Sequence, residues 1–327
     1  MKVLISIWIV LTVSLTPVSF APAQTKKSNP RIGWVWFGPA TSGRSPGLES
    51  AFVDGLRELN YLENRNFTFE HRFAAGHPER LPDLVKDLIR QNVDVIITLG
   101  GDLAAVAKKA TKTIPIVFGV SEDPVRSGLV ADLARPGGNL TGVTFLSDEL
   151  AGKRVEVLKE INPKLARLGV LWNPSHVDDE FKQIQSVAQG FGMKLSSHKA
   201  QRPEDFDEAF ATISKANNQA LVVVPSRLTS VRREPIANFA KKNRLLMISG
   251  WREFTEAGGL ASYGPNREEA ARRLAYYVDR ILKGAKPTEL PVELPTKFEL
   301  VINLHTAYEI GATIPPNVLA RADRVIK

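Results

Sequence analysis

The 327-residue sequence contains no cysteine. Without thiols the chain forms no disulfides, holds no thiolate metal site and has no cysteine nucleophile. A lipid-modified N-terminal cysteine is excluded for the same reason. Histidine is scarce as well: there are five, and no two stand three or four positions apart, so zinc motifs of the HExxH type are absent. The sequence therefore predicts that no metal is bound.

Motifs of several enzyme classes are also missing. The sequence has no GxSxG nucleophile elbow and no Walker A loop, and 38–43 lacks the GxGxxG spacing of a dinucleotide site. The adjacent acids Glu122-Asp123 and Asp178-Asp179 are more typical of helix capping than of a catalytic pair. We therefore predict that the protein is not an enzyme and uses no cofactor.

Blocks of like charge are lacking too. Lys and Arg number 43 against 35 Asp and Glu, a net charge of +8, but the basic residues are scattered. A solvated basic surface explains this excess better than a nucleic-acid site does. The chain is 43% hydrophobic and 24% charged, which is typical of a folded, soluble protein.

The N-terminus has the three features of a secretory signal peptide. Lys2 provides a positive start, an apolar run extends over 3–15, and Ala21-Pro22-Ala23 is a small-residue cleavage site. The run is shorter than the roughly 20 apolar residues that span a bilayer, which disfavours an uncleaved anchor helix. We predict a signal peptide over 1–23, a flexible leader over 24–30, and a mature protein in the periplasm with no stable membrane anchor.

Strand and helix patterns alternate along the rest of the chain. The run 32–37 predicts a buried strand, and Leu48, Phe52, Leu56 and Leu59 then give one apolar helix face. Similar pairs follow, with a helix predicted over 124–134 and a strand over 141–145, and the series then restarts. Two series of βα units predict an α/β fold of two doubly wound parallel-sheet lobes.

Sheets of this kind bind ligands at the loops that follow the carboxyl ends of their strands. In these loops Gly100-Gly101 precedes a helix, where backbone N–H groups can approach a ligand or simply form a tight turn. The other candidates are hydroxyl donors, aromatic rings at strand ends that could instead belong to the core, and acids that could accept bonds from an amine. These are Thr41, Ser42, Ser45, Ser121, Ser226, Trp36, Phe37, Trp172, Trp251, Asp102, Glu122 and Asp123.

Three stretches carry a family resemblance: TIPIVFGVSEDPVRSGLVADLARPGGNLTGVTF (113–145), REFTEAGGLASYG (252–264) and the long segment that begins with RILKGAKPTELPVELP (280–326). With these, the chain resembles ABC transporter substrate-binding proteins of the type I periplasmic-binding fold, in the group that includes tryptophan and tyrosine binders. The resemblance covers essentially the whole mature chain.

The resemblance implies two lobes joined by a three-stranded hinge that close on a ligand. Lobe 1 would comprise 31–146 plus 258–285, and lobe 2 would comprise 147–257 plus 286–327, with chain crossovers near 145–149, 250–259 and 285–296. It also implies a monomer that captures a small molecule, an amino acid or a related compound, for an ABC importer permease and its ATPase. A ligand sensor for a membrane receptor is the main alternative, and a periplasmic enzyme is a weaker one.

The same resemblance maps a ligand pocket onto this chain. Its residues would be Gly38, Thr41, Ser42, Gly100, Gly101, Asp102, Ser121, Asp123, Asn173, Ser226, Trp251 and Tyr263. Relatives often carry Thr or Ser where this chain has Asp102, whose ionised carboxylate would repel a ligand carboxylate. Either the ligand is cationic or neutral at this point, or Asp102 only caps its helix.

Overall fold

The structure is a computed structural model that describes residues 29–40, 46–176 and 179–327. The predicted signal peptide, most of the predicted leader, and Thr41 and Ser42 lie outside the described residues. Within them, strands form two separate sheets, and helices cover both faces of each sheet. Of the helices that can be described, none combines the length and the apolarity needed to cross a bilayer.

The first sheet is fully parallel, with strand order β2-β1-β3-β4-β5. Its strands are β1 (Arg31–Trp36), β2 (Thr68–Phe73), β3 (Val95–Leu99), β4 (Ile116–Val120) and β5 (Leu140–Thr144).

The second sheet has the order β12-β11-β10-β9-β8-β6-β7, and β10 and β11 are its antiparallel pair. Its strands are β6 (Arg167–Trp172), β7 (Lys194–Lys199), β8 (Ala220–Val223), β9 (Leu246–Ser249), β10 (Ala261–Pro265), β11 (Phe298–Asn303) and β12 (Arg324–Ile326).

Helices connect most of these strands, and short 3₁₀ turns stand at 78–80, 203–205 and 287–289. In chain order the helices are α1 (Pro46–Glu58), α2 (Leu81–Arg90), α3 (Gly101–Ala110), α4 (Ser147–Ile161), α5 (Glu180–Gly190), α6 (Phe206–Lys215), α7 (Arg227–Val231), α8 (Arg233–Lys242), α9 (Arg252–Glu256), α10 (Arg267–Leu282), α11 (Leu304–Ile310) and α12 (Pro316–Leu319).

Alternate residues of strand β1 contribute to two different hydrophobic cores. Its side chains alternate between the two faces of the sheet, so Trp34 and Trp36 enter the core under α1 and α10, whereas Val35 enters the core under α2 and α3. All three are almost completely buried. A strand buried on both faces reads as a continuous apolar run, which is why it was predictable.

The chain crosses between the lobes three times within the described residues. Residues 145–146 join β5 to α4, Asn266 joins β10 to α10, and residues 283–297 lead from α10 to β11. Leu146 has φ 41°, a left-handed conformation that is costly for a leucine and fixes the first crossing.

The predicted lobe boundaries are wrong around the second and third crossings. The sequence places residues 258–265 in lobe 1, but they contain β10, which pairs with β9 and β11 in the second sheet. The crossing therefore falls at Asn266 instead of 250–259. Helix α10 does pack on the first lobe. Val292, assigned to lobe 2, packs in a first-lobe core, because Glu293 bonds β5 through the N–H of Thr144.

The helix predicted over 124–134 is also wrong, because this segment is a series of turns. The Asp123 carboxylate accepts the N–H groups of Val125 and Arg126, at 2.8 and 3.2 Å. Gly128 then has φ 71°, outside the helical region. A side chain that bonds to the next two amides favours a turn over a helix.

Candidate functional site

A cavity of about 410 Å³ lies between the two lobes. Its walls include residues one to four positions beyond several strand ends, which is where sheets of this type bind ligands. From the first lobe these are Gly38 after β1, Gly100 after β3 and Ser121 after β4; from the second they are His176 after β6, Arg227 after β8 and Trp251 after β9.

One part of the wall is apolar and built from rings. Trp36, Phe37 and Trp251 line it. Trp36 stacks on Trp34 with ring centroids 4.4 Å apart, and its Nε1 donates to His71 Nδ1 at 3.0 Å. These contacts hold the Trp36 ring in one orientation, so this wall is formed before any ligand enters.

A second part of the wall joins α9 to α10 by ion pairs. Arg252 lies 2.5 Å from Glu268, and Arg267 lies 2.6 Å from Glu253. The Arg267 guanidinium also lies over the Trp251 ring, 3.8 Å from its centroid. Since α9 belongs to the second lobe and α10 packs on the first, these pairs hold the lobes together beside the cavity.

Asp102 and Arg227 form a third contact between the lobes. Asp102, in the first turn of α3, is ion-paired with Arg227 at the start of α7. The guanidinium also lies 4.5 Å from the centroid of Phe37. The other Asp102 carboxylate oxygen accepts the N–H of Leu103 at 2.9 Å. Asp102 therefore bridges the lobes, a role that neither of the two sequence alternatives included.

Glu122 fills the space in front of the α3 N-terminus. A Cβ atom on Gly101 would lie only 1.3 Å from Glu122 Oε1, so a larger residue there would have to displace the Glu122 carboxyl group. The Glu122 side chain is 2% exposed. Burial, with a smaller contribution from the charges of Asp102 and Asp148, raises the pKa of Glu122 to about 7. The protein's own carboxyl group thus occupies the position that favours an anion.

Ser121 and His176 meet across the cleft. Ser121 Oγ lies 3.4 Å from His176 Nε2. Burial lowers the pKa of His176, so its imidazole is neutral at pH 7. This part of the wall is therefore polar but uncharged.

The predicted site residues fall into three groups. Gly38, Gly100, Ser121 and Trp251 line the cavity, and Gly101 and Asp102 lie directly behind that wall. Thr41 and Ser42 lie outside the described residues. The third group is held in local structure away from the wall.

Each member of this third group has an identifiable partner. Asp123 caps the turn after β4, and Asn173 Oδ1 accepts the N–H of Ser175 at 2.9 Å. Ser226 caps α7, where its Oγ accepts the N–H of Thr229 at 3.1 Å. Tyr263 packs beside the second-lobe core. A role for any of these in ligand binding stays a prediction.

Sequence reasoning missed the charged residues of the wall. They are Arg227, Arg233, Arg252 and Arg267, together with Glu234, Glu253, Glu256 and Glu268. Arg227 directly follows Ser226 and Arg252 directly follows Trp251. The rule that ligands bind beyond the ends of strands therefore identified the correct loops but not these two residues. The position just beyond a strand end was the signal that could have identified both arginines, but the sequence prediction favoured the neighbouring Ser226 and Trp251.

Comparisons with known proteins give one consistent result. The family model for ABC transporter substrate binding protein matches residues 46–326. A tyrosine-binding protein of Clostridioides difficile (strain R20291) is 26% identical over 80% of this chain and 76% of its own length.

Two solved structures are similar over 91% of this chain and 100% of their own. One, a conserved domain protein from Vibrio cholerae, has a TM-score of 0.83 and 29% identity. The other, an ABC domain from Streptococcus pneumonia in complex with L-Trp, has a TM-score of 0.79 and 25% identity.

Proposed function

The chain belongs to the family of ABC transporter substrate-binding proteins, and from this premise we propose that it captures a small solute in the cavity between its lobes and delivers it to the permease of an ABC importer. The observation that carries the proposal is the position of the cavity. Both lobes supply its walls, so a bound solute would hold them together. Its volume of about 410 Å³ is in the range of small-molecule pockets.

The predicted two-lobed α/β fold and family are confirmed. We place the protein in the periplasm, which rests on the signal-peptide pattern of residues 1–23. The permease would recognise the closed form, because only closure brings the two lobe surfaces into one fixed arrangement.

The body of the solute is proposed to be apolar or aromatic. Trp36, Phe37 and Trp251 line the cavity with apolar ring surface, which suits an apolar or planar solute. The relatives named for tyrosine and for L-Trp support a ligand of that size and shape. We propose that the protein releases the solute unchanged, as a carrier and not an enzyme.

The test is a thermal-shift screen of residues 24–327 against amino acids, amides, amines, organic acids, sugars and nucleosides, followed by calorimetry. A ligand at a hundredfold excess over its dissociation constant adds about 2.7 kcal/mol to the free energy of unfolding. We expect a saturable 1:1 hit that is recovered without chemical change. A compound that is converted, or a screen without any hit, contradicts the proposal.

Two matched variants test the location of binding. Ser230 is half-buried in the cavity wall, so Ser230→Trp should fill the cavity and weaken binding at least tenfold. Ser214 is exposed on α6 and does not line the cavity, so Ser214→Trp should bind as the wild type does. Equal loss in both variants, or in neither, would place binding elsewhere.

A further inference from the structure

The arginines of the cavity wall are matched by carboxylates of the protein itself. Arg252 pairs with Glu268 at 2.5 Å, and with Glu256 at 3.2 Å. Arg267 pairs with Glu253 at 2.6 Å. A cation that already has a close carboxylate gives little net attraction to a second one.

Of the remaining two arginines, Arg227 has a close carboxylate and Arg233 has only a distant one. Arg227 is paired with Asp102 across the cleft. Arg233 lies 4.0 Å from Glu234 and donates to the Ser230 carbonyl at 2.9 Å. Among the described residues, the wall thus contains four arginines, four glutamates and a neutral histidine, so the formal charge of this part of the wall is zero.

The N-terminus of α3, next to the cavity, is already occupied by acids. Glu122 sits against Gly101, and Asp102 occupies the first turn. Glu122 is also buried, and its Oε2 has no hydrogen-bond partner among the described residues. A ligand carboxylate at this point would meet two protein carboxyl groups and one arginine that is already paired.

Some hydrogen-bond donors of the wall have no acceptor in the part of the chain that the structure describes. They are the Nε1 of Trp251, one Nη of Arg227, and the Nε of Arg267. A buried donor without an acceptor is unfavourable, so an acceptor atom supplied by a ligand would stabilise the closed state. Carbonyl oxygens and ring nitrogens are acceptors that carry no charge.

We propose that the solute is an uncharged aromatic or apolar compound with a hydrogen-bond acceptor, and that this site rejects ligands with a free carboxylate. The inference rests on the proposed function and names the ligand class of the same cavity. A carboxylate that leaves water must find an unpaired cation, and at Arg227, Arg252 and Arg267 it would have to separate an existing ion pair.

The experiment compares four probes that share one ring and differ in charge. Indole-3-acetamide is uncharged, indole-3-acetate is an anion, tryptamine is a cation and L-tryptophan is a zwitterion. Calorimetry at pH 7.5 should show that wild-type protein binds the amide at least tenfold more tightly than each of the others. Tighter binding of L-tryptophan, of indole-3-acetate or of tryptamine would overturn the inference.

A variant tests the stated cause. Asp102→Asn leaves Arg227 without its carboxylate, so indole-3-acetate should gain at least tenfold in affinity relative to wild type. The matched control is Asp83→Asn, which removes an exposed carboxylate that pairs with Lys86 on α2 and should change nothing. No gain in the Asp102 variant would show that the ion pair does not exclude anions.

If no indole probe binds, the charge of the solute found in the wider screen decides whether the inference holds. An uncharged solute supports the inference, and a solute with a free carboxylate overturns it while the binding function stands. If no solute binds at all, the proposed function itself fails.

Discussion

The interior of the second lobe and the cleft between the lobes use ion pairs in different ways. Inside the lobe, Arg154 of α4 and Glu180 of α5 form a pair in which both side chains are 0% exposed. The Nε of Arg154 also donates to the Tyr263 carbonyl at 3.0 Å. In the cleft, Arg227 and Asp102 keep 15% and 41% of their side chains exposed.

This difference indicates that the stability of the fold and the closure of the lobes depend on different ion pairs. Neither Arg154 nor Glu180 can reach water unless the lobe unfolds, so each depends on the other. The partly exposed cleft pair can be replaced by water when the lobes separate, at a small net cost. We infer that the first kind of pair maintains the lobe and the second kind responds to the ligand.

The largest effect is expected from breaking the pair inside the lobe. Glu180→Gln keeps the shape of the side chain but leaves the charge of Arg154 buried without its carboxylate. We expect the free energy of unfolding to fall by about 3–5 kcal/mol, measured by urea denaturation.

The matched control is Glu160→Gln on α4, whose carboxylate pairs with Arg321 at the surface. It should cost less than about 1 kcal/mol. If the two variants lost equal stability, the contrast between interior and exposed pairs would be wrong.

A second, smaller effect concerns Glu122, which is buried and forms no ion pair with any residue that the structure describes. Its pKa is raised from 4.5 to about 7, so between these values the folded protein holds a proton that the unfolded chain has released. Stability from this group is therefore present below pH 4.5 and is lost as the pH rises through 7. The total loss should be on the order of 3 kcal/mol, at about 1.4 kcal/mol for each pH unit between the two pKa values.

Denaturation of wild type and Glu122→Gln at pH 5 and pH 8 measures this loss. The glutamine is always neutral, so the variant should gain about 2 kcal/mol relative to wild type between the two pH values. Glu149→Gln, on the exposed face of α4, is the control and should follow wild type at both. A parallel pH dependence in all three proteins would show that Glu122 is ionised throughout.

Much of the fold was predictable because its signals are local. The strand predicted over 32–37 is β1, residues 31–36. It was easy to recognise because a strand buried on both faces is a nearly continuous apolar run. The helix predicted over 124–134 failed because one side chain, that of Asp123, redirects the backbone. The lobe predicted for β10 was wrong because the pairing of a strand depends on residues distant in sequence, here those of β9 and β11.

The site was predictable only in part, for a related reason. The rule that ligands bind beyond strand ends identified the loops of Gly100, Ser121 and Trp251. The pairing of Asp102 with Arg227 joins residues 125 positions apart, across a cleft whose geometry no local pattern contains. Charges in a sequence can be counted, but whether they neutralise each other depends on how the two lobes meet.

The smallest change in stability is expected from Arg126, which joins the lobes at the surface. Its guanidinium lies 2.5 Å from Asp148 and 2.9 Å from Asp179, and both partners belong to the second lobe. Arg126→Gln should lower the free energy of unfolding by less than about 1 kcal/mol, because the arginine is 53% exposed and screened by water.

The same variant should change lobe closure more clearly than stability. Loss of a contact between the lobes favours the open form, so small-angle scattering of the unliganded protein should give a larger radius of gyration for Arg126→Gln than for wild type. Lys153→Gln is the control, since Lys153 pairs with Glu156 within α4 and touches one lobe alone. If Lys153→Gln expanded the protein as much, the expansion would not come from lost contact between the lobes. If Arg126→Gln reduced stability as much as Glu180→Gln does, the same contacts would determine both stability and lobe closure.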